Sequence, residues 1–281
     1  MNTGNKTEFS HHSVLAMNTQ LNVVICGESE ALCTSVFQTI DKLLSNYELI
    51  LSRYNTSAEL YRLNQTAHLK PIVVSEILWD AIDLGRTYFQ RSNGYFDISL
   101  GSIYQTIKEH KTNPVKPEYN LIQHLEIDQQ NRTVFFSNQN ISLDFGGLGK
   151  GIVLNEIAKL LDKNGIENAL ISFGGSSILT RGKHPHGDYW PLSLQANSEK
   201  IWKLNNHAVS ISGTHLQSGN EEIKHIINPY IFKAIPLGKI AVVRSANPID
   251  AEALSTTLLA APESQYNKIA SAFHDAEFDI M

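Results

Sequence analysis

The segment Leu143-Asp144-Phe145-Gly146-Gly147-Leu148-Gly149-Lys150-Gly151 constrains this chain most, because no regular element can hold it throughout. Four residues between positions 146 and 151 are glycine, which weakens helix and strand alike and lets backbone approach backbone or ligand. Ile141-Ser142-Leu143 leads in as a short strand, and an apolar-periodic helix from Gly149 to Lys163 leads out, closed by Asn164-Gly165. The fold must therefore contain a strand-to-helix turn whose bare N–H groups favour anionic oxygens. Asp144 supplies an acceptor there and Lys150 a point charge. The glycine spacing fits neither the Walker loop nor the dinucleotide fingerprint of doubly wound folds. A tight turn with a solvated lysine is the plain alternative, and spacing alone leaves both open.

Leu21–Cys26 reads as a strand rich in β-branched residues, stopped by Gly27. Ser29 and Glu30 open a helix to about Ser52, with Leu32, Val36, Ile40, Leu43 and Leu44 on its apolar stripe. Arg53 to Gln65 reads as irregular, and a second helix runs from about Ser75 to Ser92 before the Asn93-Gly94 stop. The Thr-, Asn-, Pro- and Lys-rich stretch from Lys111 to Tyr119 reads as a loop. Strands are expected near Leu125 and at 133–136, 169–172, 177–180, 191–195, 201–204, 208–211, 225–227 and 239–244, and a helix over 248–260 with Pro at its start. Helices and strands mix without strict βαβ alternation, which gives the class α+β.

Composition excludes several functions. A net charge of −5 opposes a non-specific nucleic-acid binder, which needs a basic surface to displace counterions. Cys26 and Cys33 are too few for a disulfide framework or a four-cysteine zinc site. No apolar run reaches the ~18 residues of a membrane span. Residues 1–13 read as a polar tail without the pattern of a secretion signal or lipoprotein cysteine, so a cytoplasmic location is the expectation for the chain as it stands.

Three further groups could carry chemistry. Tyr95-Phe96-Asp97 places two rings and a carboxylate on a turn, suited to a planar ligand or to core packing. His225 begins the His225-Ile226-Ile227-Asn228-Pro229 segment and is a candidate general base. Glu252 and Thr256 lie four apart on one helix face, hard oxygen donors suited to Mg²⁺; spacing alone favours a surface Glu and a buried Thr bonded to its own backbone.

Taken in order, these pieces resemble the ApbE family of flavin transferases, the FAD:protein FMN transferases. The resemblance rests on 16–19 (Ala-Met-Asn-Thr), Ser52-Arg53-Tyr54-Asn55, 59–64, Asn93 to Asp97, Leu143 to Gly151, Gly165 to Gly175, 209–213, His225 to Pro229 and 251–258. It implies an ApbE-like, T-fold-like architecture over residues 14–281, acting as a single catalytic unit. It also implies binding of FAD, Mg²⁺-dependent cleavage of its pyrophosphate, and transfer of FMN to a Thr or Ser hydroxyl of a target flavoprotein. In that reading Met17, Tyr54, Tyr95, Phe96, Asp97, Asp144, Lys150 and Ile227 line the FAD pocket. Gly147 through its carbonyl, Glu252 and Thr256 hold the metal, and His225 is the base.

This chain departs from the family pattern at three places. Met-Gly-Thr becomes Met17-Asn18-Thr19, the metal-binding Asp becomes Glu252, and His-Ile-Ile-Asp-Pro-x-Thr-Gly becomes 225–232 with Asn228, Ile231 and Phe232. These changes motivate the alternative of a weakened FAD-binding or FAD-hydrolysing relative.

Overall fold

The computed structural model describes residues 8–108, 120–194, 197–213, 226–236 and 238–281. In chain order the first elements are β1 (Phe9–Ala16), β2 (Thr19–Cys26), α1 (Glu30–Leu51), α2 (Glu59–Thr66), β3 (Ile72–Val73), α3 (Glu76–Arg91) and α4 (Gly101–Lys108). A single 3₁₀ turn then leads to β4 (Leu125–Asp128), β5 (Thr133–Phe136), α5 (Gly149–Lys163), β6 (Asn168–Phe173) and β7 (Ser177–Arg181). The last part holds β8 (Trp190–Leu194), β9 (Asn197–Leu204), β10 (Ala208–Gly213), β11 (Ile227–Asn228), β12 (Lys233–Ala234) and β13 (Ile240–Ser245). It ends with α6 (Pro248–Ala260), a short α7 (Tyr266–Ala270) and β14 (Glu277–Ile280).

The centre is a seven-stranded antiparallel sheet in the order β1-β2-β6-β7-β10-β13-β14. Side chains alternate across a strand, so each strand serves two faces. Leu21, Val23, Ile25, Ala169, Ile171, Phe173, Ala241 and Val243 face the main core, which α1, α5 and α6 complete. Cys26, Val209 and Val242 face the other way and pack with Trp190, Trp202 and Leu204 of the β8–β9 hairpin. Helix α6 is buried on nearly every side, which explains an apolar composition without a polar face. Asn247 caps it, accepting from the Ile249 N–H at 2.8 Å, and its first turn is tied to α3. The tie is Asp250, which takes Tyr88 Oη at 2.6 Å and the Arg91 guanidinium at 2.6 and 3.2 Å.

The expected helices over 149–163 and 248–260 have the observed bounds, and the caps Ser29, Ser75 and Ser92 bracket α1 and α3 as read. Four readings need correction. The tail ends before Phe9, because Phe9 to Ser13 form β1 against β2. Arg53–Gln65 is not irregular throughout, since α2 begins at Glu59. Residues 101–108 form α4, a helix not expected from the sequence. Ile141–Leu143 makes only one parallel bridge, Ser142 to Leu100, because the Asn64 side chain takes both backbone groups of Leu143 (2.8 and 2.9 Å). The expected loop at 111–119 lies outside the described residues. Among the described residues no helix is long and apolar enough to cross a membrane.

Candidate functional site

The β1–β2 hairpin delivers the first wall. Ala16 pairs with Thr19, leaving a two-residue loop in which Met17 and Asn18 both have positive φ (49° and 60°). Asn tolerates this region; a bulky Met there is strained, as functional positions often are. The Met17 N–H is held by Glu48 Oε1 at 3.0 Å.

The glycine-rich turn delivers the second wall. Asp144 is fixed from three sides: its N–H donates to the Ile98 carbonyl (2.8 Å), its Oδ1 accepts from the Gly146 N–H (2.8 Å), and its Oδ2 accepts from Arg53 Nη1 (2.7 Å). Arg53 also donates to the Gly101 carbonyl at 2.9 Å and lies over the Tyr54 and Tyr104 rings at 5.1 and 5.7 Å. No side chain caps α5 at Leu148; the Phe145 carbonyl accepts from the Leu148 and Gly149 N–H groups at 2.9 and 2.7 Å, and Lys150 follows in the first turn.

Between these walls the cleft has two lobes. One, about 340 Å³, is lined by Tyr54, Tyr95, Phe96, Asp97, Leu100, Gly101, Tyr104, Asp144, Gly146, Gly147, Ile227 and Thr256 among others. The second, about 370 Å³, is lined by Met17, Asn18, Glu48, Arg53, Tyr54, Asp144, Gly146, Gly149 and Lys150 among others. They share Tyr54, Asp144 and Gly146. Lobe one is aromatic; lobe two carries the helix start and the ammonium of Lys150, which donates to Ser176 Oγ at 2.7 Å. This is a container for a ligand with a planar part joined to an anionic one.

The structure thus brings Met17, Tyr54, Tyr95, Phe96, Asp97, Asp144, Lys150, Ile227, Gly147 and Thr256 together. Gly147 and Thr256 are neighbours: a Cβ on Gly147 would come 3.5 Å from Thr256 Oγ1 and 2.9 Å from Phe96. Glu252 lines neither lobe. Its buried carboxylate faces the sheet, where Oε1 accepts from Ser177 Oγ and from Ser210 Oγ (3.0 Å), with Lys150 Nζ 3.9 Å away. His225 lies outside the described residues. Arg53 and Tyr104 were absent from the expected site; an Arg directly before Tyr54 in a polar segment was the only signal for the first, and α4 gave none for the second.

Burial sets the protonation states. The Tyr104 phenol is pushed up to about 12 by burial, with Tyr54 and Asp144 adding to it, so it stays neutral. Burial also pushes the Asp97 carboxyl up, against the lowering effect of the Ser99 hydroxyl and N–H that it accepts (2.6 and 2.8 Å). A carboxyl with a raised folded-state pKa contributes stability that is complete below its unfolded pKa and lost as pH rises through the folded value. Asp97→Asn keeps the acceptor and removes the charge. Its Tm should therefore fall less than that of the parent as pH is raised from about 4 to 7, close to the unfolded range, in a denaturation series.

Asn228 is held through both ends of its amide. Its Nδ2 donates to the Ala260 carbonyl at the end of α6 (2.8 Å), and its Oδ1 accepts from the Tyr230 N–H (2.9 Å). Asn228→Asp would set a carboxylate against a carbonyl at the negative end of a helix. The expected loss is about 1–2 kcal/mol in chemical denaturation.

The chain is similar to several named proteins. A FAD:protein FMN transferase of Klebsiella pneumoniae is 24% identical over 267 residues, covering 86% of this chain and 76% of that protein. One of Chlamydia muridarum is 28% identical over 210 residues, covering 70% and 65%. Among solved structures, the flavin transferase ApbE of Vibrio cholerae superposes with a TM-score of 0.82 at 22% identity, covering 97% of this chain and 92% of that one. The apo flavinyl transferase ApbE of Pseudomonas stutzeri gives 0.80 at 19%, covering 99% and 94%. The sequence model of the ApbE family matches residues 17–279, from the Met17 turn to the last strand of the sheet, and the chain belongs to that family.

Proposed function

We propose that this protein is an FAD:protein FMN transferase that uses Mg²⁺ and attaches FMN to a Ser or Thr hydroxyl of a target flavoprotein. The observation that carries the reading is the two-lobed cleft, aromatic on one side of Tyr54 and Asp144, with Lys150 and the start of α5 on the other. FAD matches it: a planar ring system joined to a pyrophosphate. In the reaction the acceptor hydroxyl forms a bond to the phosphorus on the flavin side, and the pyrophosphate P–O bond breaks. AMP leaves with the electron pair. The hydroxyl proton goes to a base, the role that the family resemblance gives His225. Lys150 and the uncapped start of α5 supply positive potential to the phosphates.

The hard oxygen donors near lobe one are the Thr256 hydroxyl and the Gly147 backbone beside it; no cluster of three or more His, Cys, Asp or Glu stands there among the described residues. Mg²⁺ prefers few protein ligands and completes its shell with water and phosphate oxygens. Bound there, it would neutralise charge developing on the phosphate. Thr256 and Gly147 would hold it.

Incubating the protein with FAD, Mg²⁺ and Ser/Thr-bearing candidate acceptors, then weighing the acceptors intact, tests the reading. The expected result is a mass increase of one FMN, reduced at least tenfold in rate by Lys150→Ala, about the loss from removing one charged contact at a phosphate. Tight FAD binding with no mass increase on any acceptor would sink it. AMP release without transfer would favour the FAD-hydrolysing alternative, which the inward-turned Glu252 and the amide at 228 recommend.

A further inference from the structure

The wall of lobe one holds a phenol that the fold fixes in place and leaves without a partner. Tyr104 stands in the first turn of α4, and that turn is pinned at several points. The Gly101 N–H donates to the Ser142 carbonyl at 2.8 Å, the Gly101 carbonyl accepts from Arg53 Nη2 at 2.9 Å, and Ser102 Oγ donates to the Asn140 carbonyl at 2.6 Å. A Cβ at position 101 would sit 2.6 Å from the Ser142 carbonyl oxygen and 2.9 Å from Arg53 Nη1, so only glycine lets α4 start this close. The Tyr104 N–H donates to the Leu100 carbonyl at 2.9 Å, and the Arg53 guanidinium lies over its ring at 5.7 Å. Ile103 beside it is buried in the core, whereas Tyr104 is only partly buried and lines lobe one.

Among the described residues nothing accepts from the Tyr104 hydroxyl. Its electrostatic neighbours include the Tyr54 phenol and the Asp144 carboxylate, which line both lobes. Asp144 already accepts from the Gly146 N–H and from Arg53, and Asp97 accepts from Ser99. The carboxyls of this wall are thus engaged with the protein, while Tyr104 has a hydrogen to give. Burial keeps the phenol neutral, so the hydrogen stays on it at ordinary pH. Packing against Arg53 needs only the ring; the hydroxyl adds a desolvation cost that a partner in the lobe would offset. Pockets for planar ligands are mostly apolar, with a few fixed polar groups that set orientation.

We infer that Tyr104 is a binding residue of lobe one that donates its hydroxyl hydrogen to an acceptor atom on the rim of the heteroaromatic ring seated there. The inference rests on the proposed function for the ligand, FAD, whose flavin and adenine both carry such acceptors. Because α4 is pinned before the ligand arrives, the donor is in position at no further ordering cost. A ring without an acceptor at that point would leave the phenol unpaired in a closed wall, which makes Tyr104 a specificity residue as well.

The test compares the parent with Tyr104→Phe, which keeps the ring over Arg53 and removes only the donor. FAD affinity, by flavin fluorescence titration without added metal, should fall about three- to tenfold, the worth of one hydrogen bond. The urea midpoint should not move, since the hydroxyl holds nothing in the protein. Competition of FMN and of AMP against bound FAD then assigns the ring: the competitor that reads Tyr104 should weaken in the variant and the other should not. Unchanged FAD affinity overturns the inference. So does a lowered urea midpoint, or equal weakening of FMN and AMP, either of which would make the phenol a structural prop. A parent that binds FAD and shows this pattern yet transfers no FMN keeps Tyr104 and loses the transferase reading. A parent that transfers FMN while Tyr104→Phe binds FAD as tightly loses the Tyr104 inference alone.

Discussion

Arg53→Ala is expected to lower unfolding free energy by about 2–3 kcal/mol and to abolish measurable FAD binding at micromolar concentrations. Removing one partner of a fully buried ion pair costs about 3–5 kcal/mol, because the other charge is left unpaired. The Arg53 side chain is 9% exposed, but that of Asp144 is 26% exposed, and water repays part of the loss. The ligand effect is the larger one. Arg53 ties Asp144 to the Gly101 carbonyl and props both Tyr54 and Tyr104, so its loss frees the wall shared by the two lobes. Arg53→Lys supplies a charge without the planar fork and should recover stability more than binding. Urea denaturation and flavin fluorescence on the same preparations separate the two effects. Full FAD affinity in Arg53→Ala would show that this wall is not part of the binding site.

Gly151→Ala should be as damaging by a different route. A Cβ at this position would lie 2.9 Å from the Pro248 carbonyl, 2.9 Å from Glu252 Cγ and 3.0 Å from Ile249 Cα. Two of those neighbours are helix backbone and cannot step aside, so α5 and α6 must separate. Overpacking of this sort costs about 1–3 kcal/mol. Separation would also pull Lys150 from Ser176 and from the Glu252 carboxylate. The variant should therefore lose transfer activity out of proportion to its Tm, in a comparison made well below the melting range. By contrast, Gly165→Ala strains a left-handed cap (φ 68°) with nothing within 4 Å of the new carbon. It should cost stability alone.

The helices that position the site were readable because their ends carry local chemistry. Ser29, Ser75 and Asn247 accept from N–H groups of the first turn, and Asn164-Gly165 stops α5 with a positive-φ glycine. The turn from Leu143 to Gly151 was readable for the same reason: glycine spacing is a local property. What escaped was decided at long range. Strand β1 exposes every second residue along a sheet edge, so it lacks the full apolar run that marked β2. The strand expected at 141–143 was overruled by Asn64, almost eighty positions earlier, which caps Leu143 on both sides. The spacing of Glu252 and Thr256 put both on one helix edge, but Ser177 and Ser210, which draw the carboxylate toward the sheet, belong to strands that spacing cannot see.

The cleft borrows its walls from Met17, Arg53, Tyr95, Asp144, Ile227 and Thr256, which stand far apart along the chain. No contiguous piece of the polypeptide owns a lobe, so only the fully assembled state has anything to offer a dinucleotide. Occupancy is then coupled to global rather than local opening. At one hundred times its dissociation constant, FAD would add about 2.7 kcal/mol to the whole molecule. Slowly exchanging amides as far away as the β8–β9 hairpin should report it as faithfully as those lining the cleft.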